Sequence, residues 1–336
     1  MENSIYRSIA SLRAIQQSES ELPLRNEACR SKFFLHSRIT KKVFLFFHGF
    51  TAGPYQFEPL GNAFHKAGYN VLVPLQPGHG IAGEWSRHNT PPLPTDVRVY
   101  QQFVLEWIGR AQELGDEIIV GGLSSGANLA AWAALEHPEQ VGRSLLFAPF
   151  LKGRNPLFDW LINVLPFYYE WFNKDAPGNF GYKGFRIPAL RLFLELGKTV
   201  LNQAQVRRSA PMLVVSSDAD MATDPGTHRQ LFQAVQVRQP QSWYYCFDKS
   251  LGIGHRMTTR IEDNPYEDQL ITLTQSYVES SLTWPQLQLL TRHIQKGKPA
   301  DTIACAANLY TLIPSYLKNF LEWDLSDRTT GFLSSL

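Results

Sequence analysis

Several functional classes are set aside by what this chain has little of. Its 336 residues hold three cysteines, Cys29, Cys246 and Cys305, too few and too far apart for a disulfide framework or a CxxC metal site. They read as buried small hydrophobes in a reducing compartment. Charge of one sign is also scarce: 32 Lys and Arg oppose 30 Asp and Glu, for a net +2, and the basic residues are scattered. Nothing here is the electrostatic footprint of a nucleic-acid or acidic-membrane binder, so neither partner is implied. No stretch approaches the roughly 18 consecutive apolar residues of a membrane span, and no integral membrane segment is expected. The opening MENSIYRSIASLRAIQQSES lacks the apolar centre of a secretory signal. The expectation is a soluble, cytoplasmic protein. There is no internal repeat or low-complexity tract, no G-x-G-x-x-G, and no loop ending in Gly-Lys-Ser/Thr, the marks of two common phosphate cradles.

What the chain does have is alternation. Short apolar runs, KFFLHS, VFLFF (43–47), NVLVPL (70–75), EIIVGG (117–122), SLLFAPF (144–150), PMLVVSS (211–217) and WYYCFD (243–248), are bounded by Gly, Pro and Asp. Strands buried on both faces look like this. Helical patterns lie between them at 55–67, about 96–114, 125–137, about 225–236 and 264–282. Strand and helix in turn predict an α/β fold, with a mostly parallel central sheet flanked by helices. Crossover handedness places the loops after the strands along one edge, where such sheets bind ligands.

Four segments follow from this rhythm. Residues 1–40 form an N-terminal helical arm, with Ile5, Ile9, Leu12 and Ile15 at helical spacing, and a first strand. Residues 41–150 and 210–282 form the core. Residues 151–209 are an insertion with ten aromatics from Phe158 to Phe185, too long for a simple connection and too apolar for a linker. It is either a helical layer packed on the sheet or a helical cap whose underside lines an apolar pocket; in the second case Trp160, Phe167 and Trp171 are the candidate substrate-binding residues. Residues 283–336 are a C-terminal helical extension, with helices near 285–295 and 302–323, whose apolar face suits the core, the cap or a second copy of the chain.

Gly122-Leu123-Ser124-Ser125-Gly126 fits G-x-S-x-G between a strand and a helix. A turn this sharp strains the residue at its apex, and side chains two positions away on either side collide with the neighbouring strand and helix. Because the glycines flank Ser124 by two residues on each side, Ser124 is at the apex and Ser125 is not. A serine hydroxyl is a poor nucleophile at neutral pH and needs a base, an orienting carboxylate and donors for the developing oxyanion. In this setting the acid and then the histidine follow in loops after later strands. PMLVVSS is followed by Asp218, Asp220 and Asp224, and WYYCFD by Leu251-Gly252-Ile253-Gly254-His255-Arg256. His255 is favoured as base, since His228 lies in a predicted helix and His293 in the extension. Asp220 is favoured as acid, with Asp218 the main competitor, while Asp224 before a proline suits a helix cap. The oxyanion donors expected are the N–H of Ser125 and that of Phe50, in the loop after VFLFF. His48 is given the structural role of fixing that loop.

The residues FFHGFTAGPYQFEPLGNAFHKAGYNVLVPLQPGHG, then GLSSG, an acid loop and GHR, resemble the α/β-hydrolase superfamily. Within it the chain is most similar to the bacterial carboxylesterase and monoacylglycerol-lipase-like branch, through its HGFT loop and its GY-x-V-x-x-P-x-x-x-GHG segment. The resemblance covers roughly 40–150 and 210–282. It implies an α/β-hydrolase fold with a helical cap insertion, Ser124 as nucleophile, Asp220 as acid, His255 as base, and Phe50 and Ser125 as oxyanion donors. Two departures stand out. The usual S-x-G-G is here Ser124-Ser125-Gly126-Ala127-Asn128, and Ser217 replaces the glycine that usually opens the acid loop.

The expected activity is hydrolysis of a small-molecule carboxylic ester with an apolar acyl or aryl group, through an acyl-enzyme, with no cofactor and no metal. Acyl transfer or thioester cleavage would use the same groups. A non-catalytic binding module on this fold would normally lack a triad member, and all three are present.

Overall fold

The computed structural model describes residues 2–172, 175–296, 309, 312–326 and 331–332. A seven-stranded sheet forms the centre. Its strands are β1 (Lys32–Phe34), β2 (Thr40–Phe47), β3 (Asn70–Val73), β4 (Gly115–Leu123), β5 (Val141–Phe147), β8 (Met212–Ser217) and β9 (Trp243–Phe247). They lie in the order β1-β3-β2-β4-β5-β8-β9. Only β1 runs antiparallel, against β3; every other pair is parallel. Apart from β1, which is half-buried, the strands are buried over most of their length, which is why they read as apolar runs.

Helices cover the sheet: α1 (Glu2–Ser20), α2 (Glu58–Lys66), α3 (Val97–Gln112), α4 (Ser125–Glu136), α7 (Pro225–Gln236) and α8 (Glu267–Glu279). The arm ends earlier than its pattern suggests, at Ser20, and buries Ile5, Ile9 and Leu12 against the core. Asp96 caps α3 and Asp224 caps α7, each side chain accepting a backbone N–H of the first turn.

Between β5 and β8 lie α5 (Pro156–Val164), a two-stranded hairpin of β6 (Tyr168–Glu170) and β7 (Gly184–Arg186), and α6 (Ile187–Val206). The insert is therefore not helical throughout, and the hairpin holds several of its aromatics. Helix α6 buries a long apolar face, including Leu190, Phe193, Leu194 and Val200, and packs against α4 and α7.

In the extension, α9 (Trp284–Gln295) and α10 (Ser315–Ser326) are helical; residues 302–308 of the predicted second helix lie outside the described residues, as does Cys305. The described part docks on its own core. Leu317, Phe320, Leu321 and Phe332 are buried, the Tyr245 hydroxyl donates to Asp324 Oδ1 at 2.7 Å, and the Cys246 N–H donates to the Gly331 carbonyl at 3.3 Å. The tail thus covers β9, which ends the sheet. Cys29 and Cys246 are buried free thiols, and no helix among the described residues is long and apolar enough to cross a membrane.

Candidate active site

The middle strand, β4, ends at Leu123 and α4 begins at Ser125, so Ser124 alone makes the turn. Its backbone sits at φ 58° and ψ −115°, a conformation that costs a residue with a Cβ about 1–3 kcal/mol. Three bonds hold it there. The Ser124 N–H donates to the Phe147 carbonyl at 2.9 Å, and its own carbonyl accepts from Asn128 N–H at 3.1 Å and Phe150 N–H at 3.2 Å. Glycine makes the room: a Cβ on Gly122 would stand 2.2 Å from the Gly126 backbone, and one on Gly126 would stand 2.0 Å from the Phe47 carbonyl oxygen. From Val120 to Leu135 Ser124 is the one residue that is not buried, so its side chain is the one the turn presents. Ser125 is buried, and as first residue of α4 it has an N–H with no carbonyl one turn back in the helix.

The loop after β2 is shaped around Phe50. Ala52 N–H closes a turn onto the Gly49 carbonyl at 3.1 Å, with Phe50 and Thr51 at its centre and Thr51 at φ 64°. His48 fixes the approach. Its Nε2 accepts the Gln76 N–H at 3.1 Å, its carbonyl accepts the Gln76 side chain, and burial holds the ring well below the ordinary imidazole value, hence neutral.

The candidate acid and base lie in the loops after β8 and β9. Asp220 is 0% exposed and its Oδ2 lies 2.8 Å from His255 Nδ1. Its Oδ1 accepts the N–H groups of Ala222 at 2.7 Å and Thr223 at 3.2 Å, and its Oδ2 also accepts the Thr223 hydroxyl at 2.6 Å. Asp218 is exposed, and Asp224 is occupied in capping α7. Of the three candidates, Asp220 is the one that meets His255. Burial opposes charge on Asp220, but the facing His255, the Thr223 hydroxyl and the Ala222 N–H outweigh it and hold the carboxyl well below the usual carboxylate range. Burial likewise opposes charge on His255; the Asp220 charge and hydrogen bond, with smaller help from Glu262, outweigh it and raise the ring above its ordinary value. The three loops share the sheet edge where β4, β8 and β9 end, with β5 between β4 and β8.

The histidine of α7 is committed elsewhere. His228, in α7, is fully buried, with Nδ1 2.8 Å from the Ser216 hydroxyl and Nε2 2.8 Å from the Pro149 carbonyl. Of the aromatics singled out in the insert, Trp171 meets the Phe50 loop: its Nε1–H donates to Thr51 Oγ1 at 2.8 Å, and its ring packs on Phe185, which stands edge-on to Phe50 at 4.9 Å. Phe167 is half-buried against the core, and Trp160 on α5 is 58% exposed.

Several contributors have roles that the sequence did not assign. The Ser217 hydroxyl donates to the Ile253 carbonyl at 2.6 Å and so ties the acid loop to the base loop, a use for the serine that stands in the family's glycine position. Asn128, just past the S-x-G-G stretch, donates to the carbonyls of Phe150 at 2.7 Å and Phe193 at 2.8 Å and staples α4 to the insert. Thr223, Gln56 and Glu262 are likewise unmarked in the sequence.

Comparison with known proteins agrees with this architecture. Residues 42–245, more than half of the chain, match the family described as alpha/beta hydrolase fold. A thermostable monoacylglycerol lipase of Bacillus sp. (strain H-257) is 35% identical over 98 residues, which is 29% of this chain and 37% of that enzyme's length. Among solved structures, a metagenome-derived lipolytic enzyme superposes with a TM-score of 0.61 at 17% identity, covering 75% of this chain and 98% of its own. The monoacylglycerol lipase of Paleococcus ferrophilus gives 0.58 at 16% identity, covering 73% and 95%. A soluble variant of the Saccharomyces cerevisiae monoglyceride lipase gives 0.57 at 13%, covering 74% and 91%. At these identities the superpositions speak for the fold alone, and with the family match they lead to one statement: the chain belongs to the alpha/beta hydrolase fold family.

Proposed function

We propose that this protein is a serine hydrolase that cleaves carboxylic esters through an acyl-enzyme. The observation that carries the reading is the Asp220–His255 pair at the same sheet edge as a strained, accessible Ser124. Asp220 accepts the Nδ1–H of His255, which leaves Nε2 as the lone-pair nitrogen, the tautomer a general base needs. Ser124 Oγ attacks the ester carbonyl while its proton passes to Nε2. The carbonyl oxygen gains the negative charge and is received by the N–H groups of Phe50 and Ser125. Collapse of that intermediate breaks the bond to the alcohol, which leaves with the proton from Nε2. Water then attacks the acyl-enzyme, giving its proton to the same nitrogen, and Ser124 is released with the carboxylic acid.

The substrate side is supported by the aromatic cluster of Phe50, Trp171 and Phe185, which favours an apolar acyl or aryl group. The Bacillus monoacylglycerol lipase, which shares sequence with this chain, points the same way. A fluorophosphonate probe is expected to label the wild type at Ser124 and to fail on Ser124→Ala, which also loses p-nitrophenyl ester hydrolysis while keeping its melting temperature. Full labelling, or undiminished hydrolysis, by the alanine variant would refute the assignment.

A further inference from the structure

A second carboxylate is buried in the wall that carries the base. Glu262 closes a short 3₁₀ turn, Arg260–Glu262, seven positions after His255, and is only 4% exposed. Its Oε1 accepts the Tyr55 hydroxyl at 3.0 Å and its Oε2 accepts the Gln56 Nε2–H at 2.8 Å. Arg256, next in sequence to His255, brings Nη1 to 3.6 Å from Oε1 and Nη2 to 3.6 Å from Asp263. The other end of the Gln56 amide, Oε1, accepts the Gly49 N–H at 2.7 Å. An unbroken series of contacts therefore runs from the residue beside the base to the residue before Phe50.

The direction of these bonds makes each partner specific. The Gly49 N–H needs an acceptor, so Gln56 turns its oxygen there and its NH2 the other way. That NH2 needs an acceptor in turn, which Glu262 supplies. Burial raises the Glu262 carboxyl to about 6, against the lowering effects of Arg256, Gln56, Tyr55 and His255, so it is ionised and acceptor-only at neutral pH.

We propose that Glu262 is a positioning residue, which fixes the oxyanion loop relative to the His255 loop through Gln56 and the Gly49 N–H. The proposal rests on the serine-hydrolase reading above. Glu262 touches no reacting atom; its effect is to keep the Phe50 N–H at the place where the oxyanion forms.

The test is a swap. Gln56→Glu, assayed near pH 9 so that the two carboxyl groups do not share a proton, sets two charges against each other, whereas Gln56→Glu combined with Glu262→Gln restores the chain of bonds: the carboxylate now at position 56 accepts both from the Gly49 N–H and from the amide now at position 262. Ester turnover is expected to fall at least about tenfold in Gln56→Glu with KM within about twofold, since misplacement near 1 Å costs about 10²-fold. The double variant should return to within about threefold of wild type. Gln56→Glu within threefold of wild type, or a folded double variant no better than the single one, would overturn the proposal. If Gln56→Glu is recovered unfolded, Gln56→Met serves under the same thresholds, with a tenfold loss of kcat in support and wild-type turnover against. The Ser124→Ala control separates the two failures: if it abolishes turnover while the swap has no effect, only this proposal falls; if it does not, both fall.

Discussion

Asp220→Asn is the substitution that tests the site most sharply, because it keeps the shape of the side chain while removing its charge and replacing one acceptor oxygen by a donor. Asp220 receives four hydrogen bonds, two backbone N–H groups on Oδ1 and the Thr223 hydroxyl and His255 on Oδ2. An asparagine has one oxygen. That oxygen must stay on the Ala222 and Thr223 N–H groups, which can only donate, and the amide NH2 then faces His255 Nδ1. The imidazole is forced to accept at Nδ1 and carry its proton on Nε2, the tautomer that is useless to Ser124. Turnover should fall about 10⁴-fold, the size seen for this change in serine proteases, or about 5.5 kcal/mol of transition-state stabilisation at 1.36 kcal/mol per decade. Asp218→Asn, at an exposed position with no bond to the base, should stay within about twofold. The assay is p-nitrophenyl ester hydrolysis as a function of pH. The base works when neutral, and Asp220 raises the His255 value above 6.5, so wild-type activity should fall off on the acid side above pH 6.5. Without the carboxylate, burial and the Arg256 charge are opposed only by the smaller effect of Glu262, and the acid limb of the residual activity should move to lower pH. A larger loss in Asp218→Asn, or more than about a tenth of wild-type turnover in Asp220→Asn, would refute the assignment.

Two further substitutions probe the surroundings of Ser124 and the insert. Gly126→Ala places a Cβ 2.0 Å from the Phe47 carbonyl oxygen, so the end of β2 or the start of α4 has to move by more than an ordinary contact allows. A drop in melting temperature equivalent to about 1–3 kcal/mol and a turnover at least about 10²-fold lower are expected, and a variant that melts and turns over like wild type would contradict the steric account. Trp171→Phe keeps a ring on Phe185 but removes the N–H bonded to Thr51; kcat should fall about three- to tenfold with KM nearly constant. Trp160→Ala, at a ring 58% exposed, should leave kcat within about twofold, so equal kcat values for the two variants would argue against a role for Trp171 in the loop.

The parts of this fold legible in the sequence are those where a local constraint has one solution. Strands buried on both faces are filled mostly by apolar residues, so β2, β4, β5, β8 and β9 could be read directly. The turn at Ser124 admits only glycine at 122 and 126, so the apex could be counted. The acid was harder. Asp218 and Asp220 stand two residues apart in one polar loop, and what separates them is a fold-level fact, that the chain turns Asp220 inward onto Thr223 and His255 while Asp218 stays at the surface. The β6–β7 hairpin was hidden because its strands are three residues each, joined by a long connection, which is too short for a periodicity to register. Glu262 was hidden for a different reason. Arg260-Ile261-Glu262-Asp263 reads as a solvated charge cluster, and Glu262 is buried only because Tyr55 and Gln56, 207 and 206 residues away in the chain, come to meet it.

These long-range contacts converge on the turn Gly49–Ala52. On one side Gln56 holds the Gly49 N–H and is itself held by Glu262, beside the base. On the other, the insert grips Thr51 twice, through the Trp171 Nε1–H at 2.8 Å and through the Tyr182 N–H, which donates to the Thr51 carbonyl at 2.7 Å. The Thr51 hydroxyl in turn donates to the Phe50 carbonyl at 2.6 Å. Thr51 is at φ 64°, a conformation a threonine adopts only where its neighbours impose it, and these are the neighbours that do. The segment between β5 and β8 is therefore bonded directly to the loop that carries the Phe50 N–H. Any shift of the hairpin that widens the aromatic cluster for a bulkier acyl group must stretch the two bonds at Thr51, and so disturb the donor meant for the oxyanion. If the loop carries the oxyanion donor as proposed, acyl-group selection and transition-state stabilisation would be coupled through Thr51, and a change at Trp171 is predicted to appear in kcat before it appears in KM.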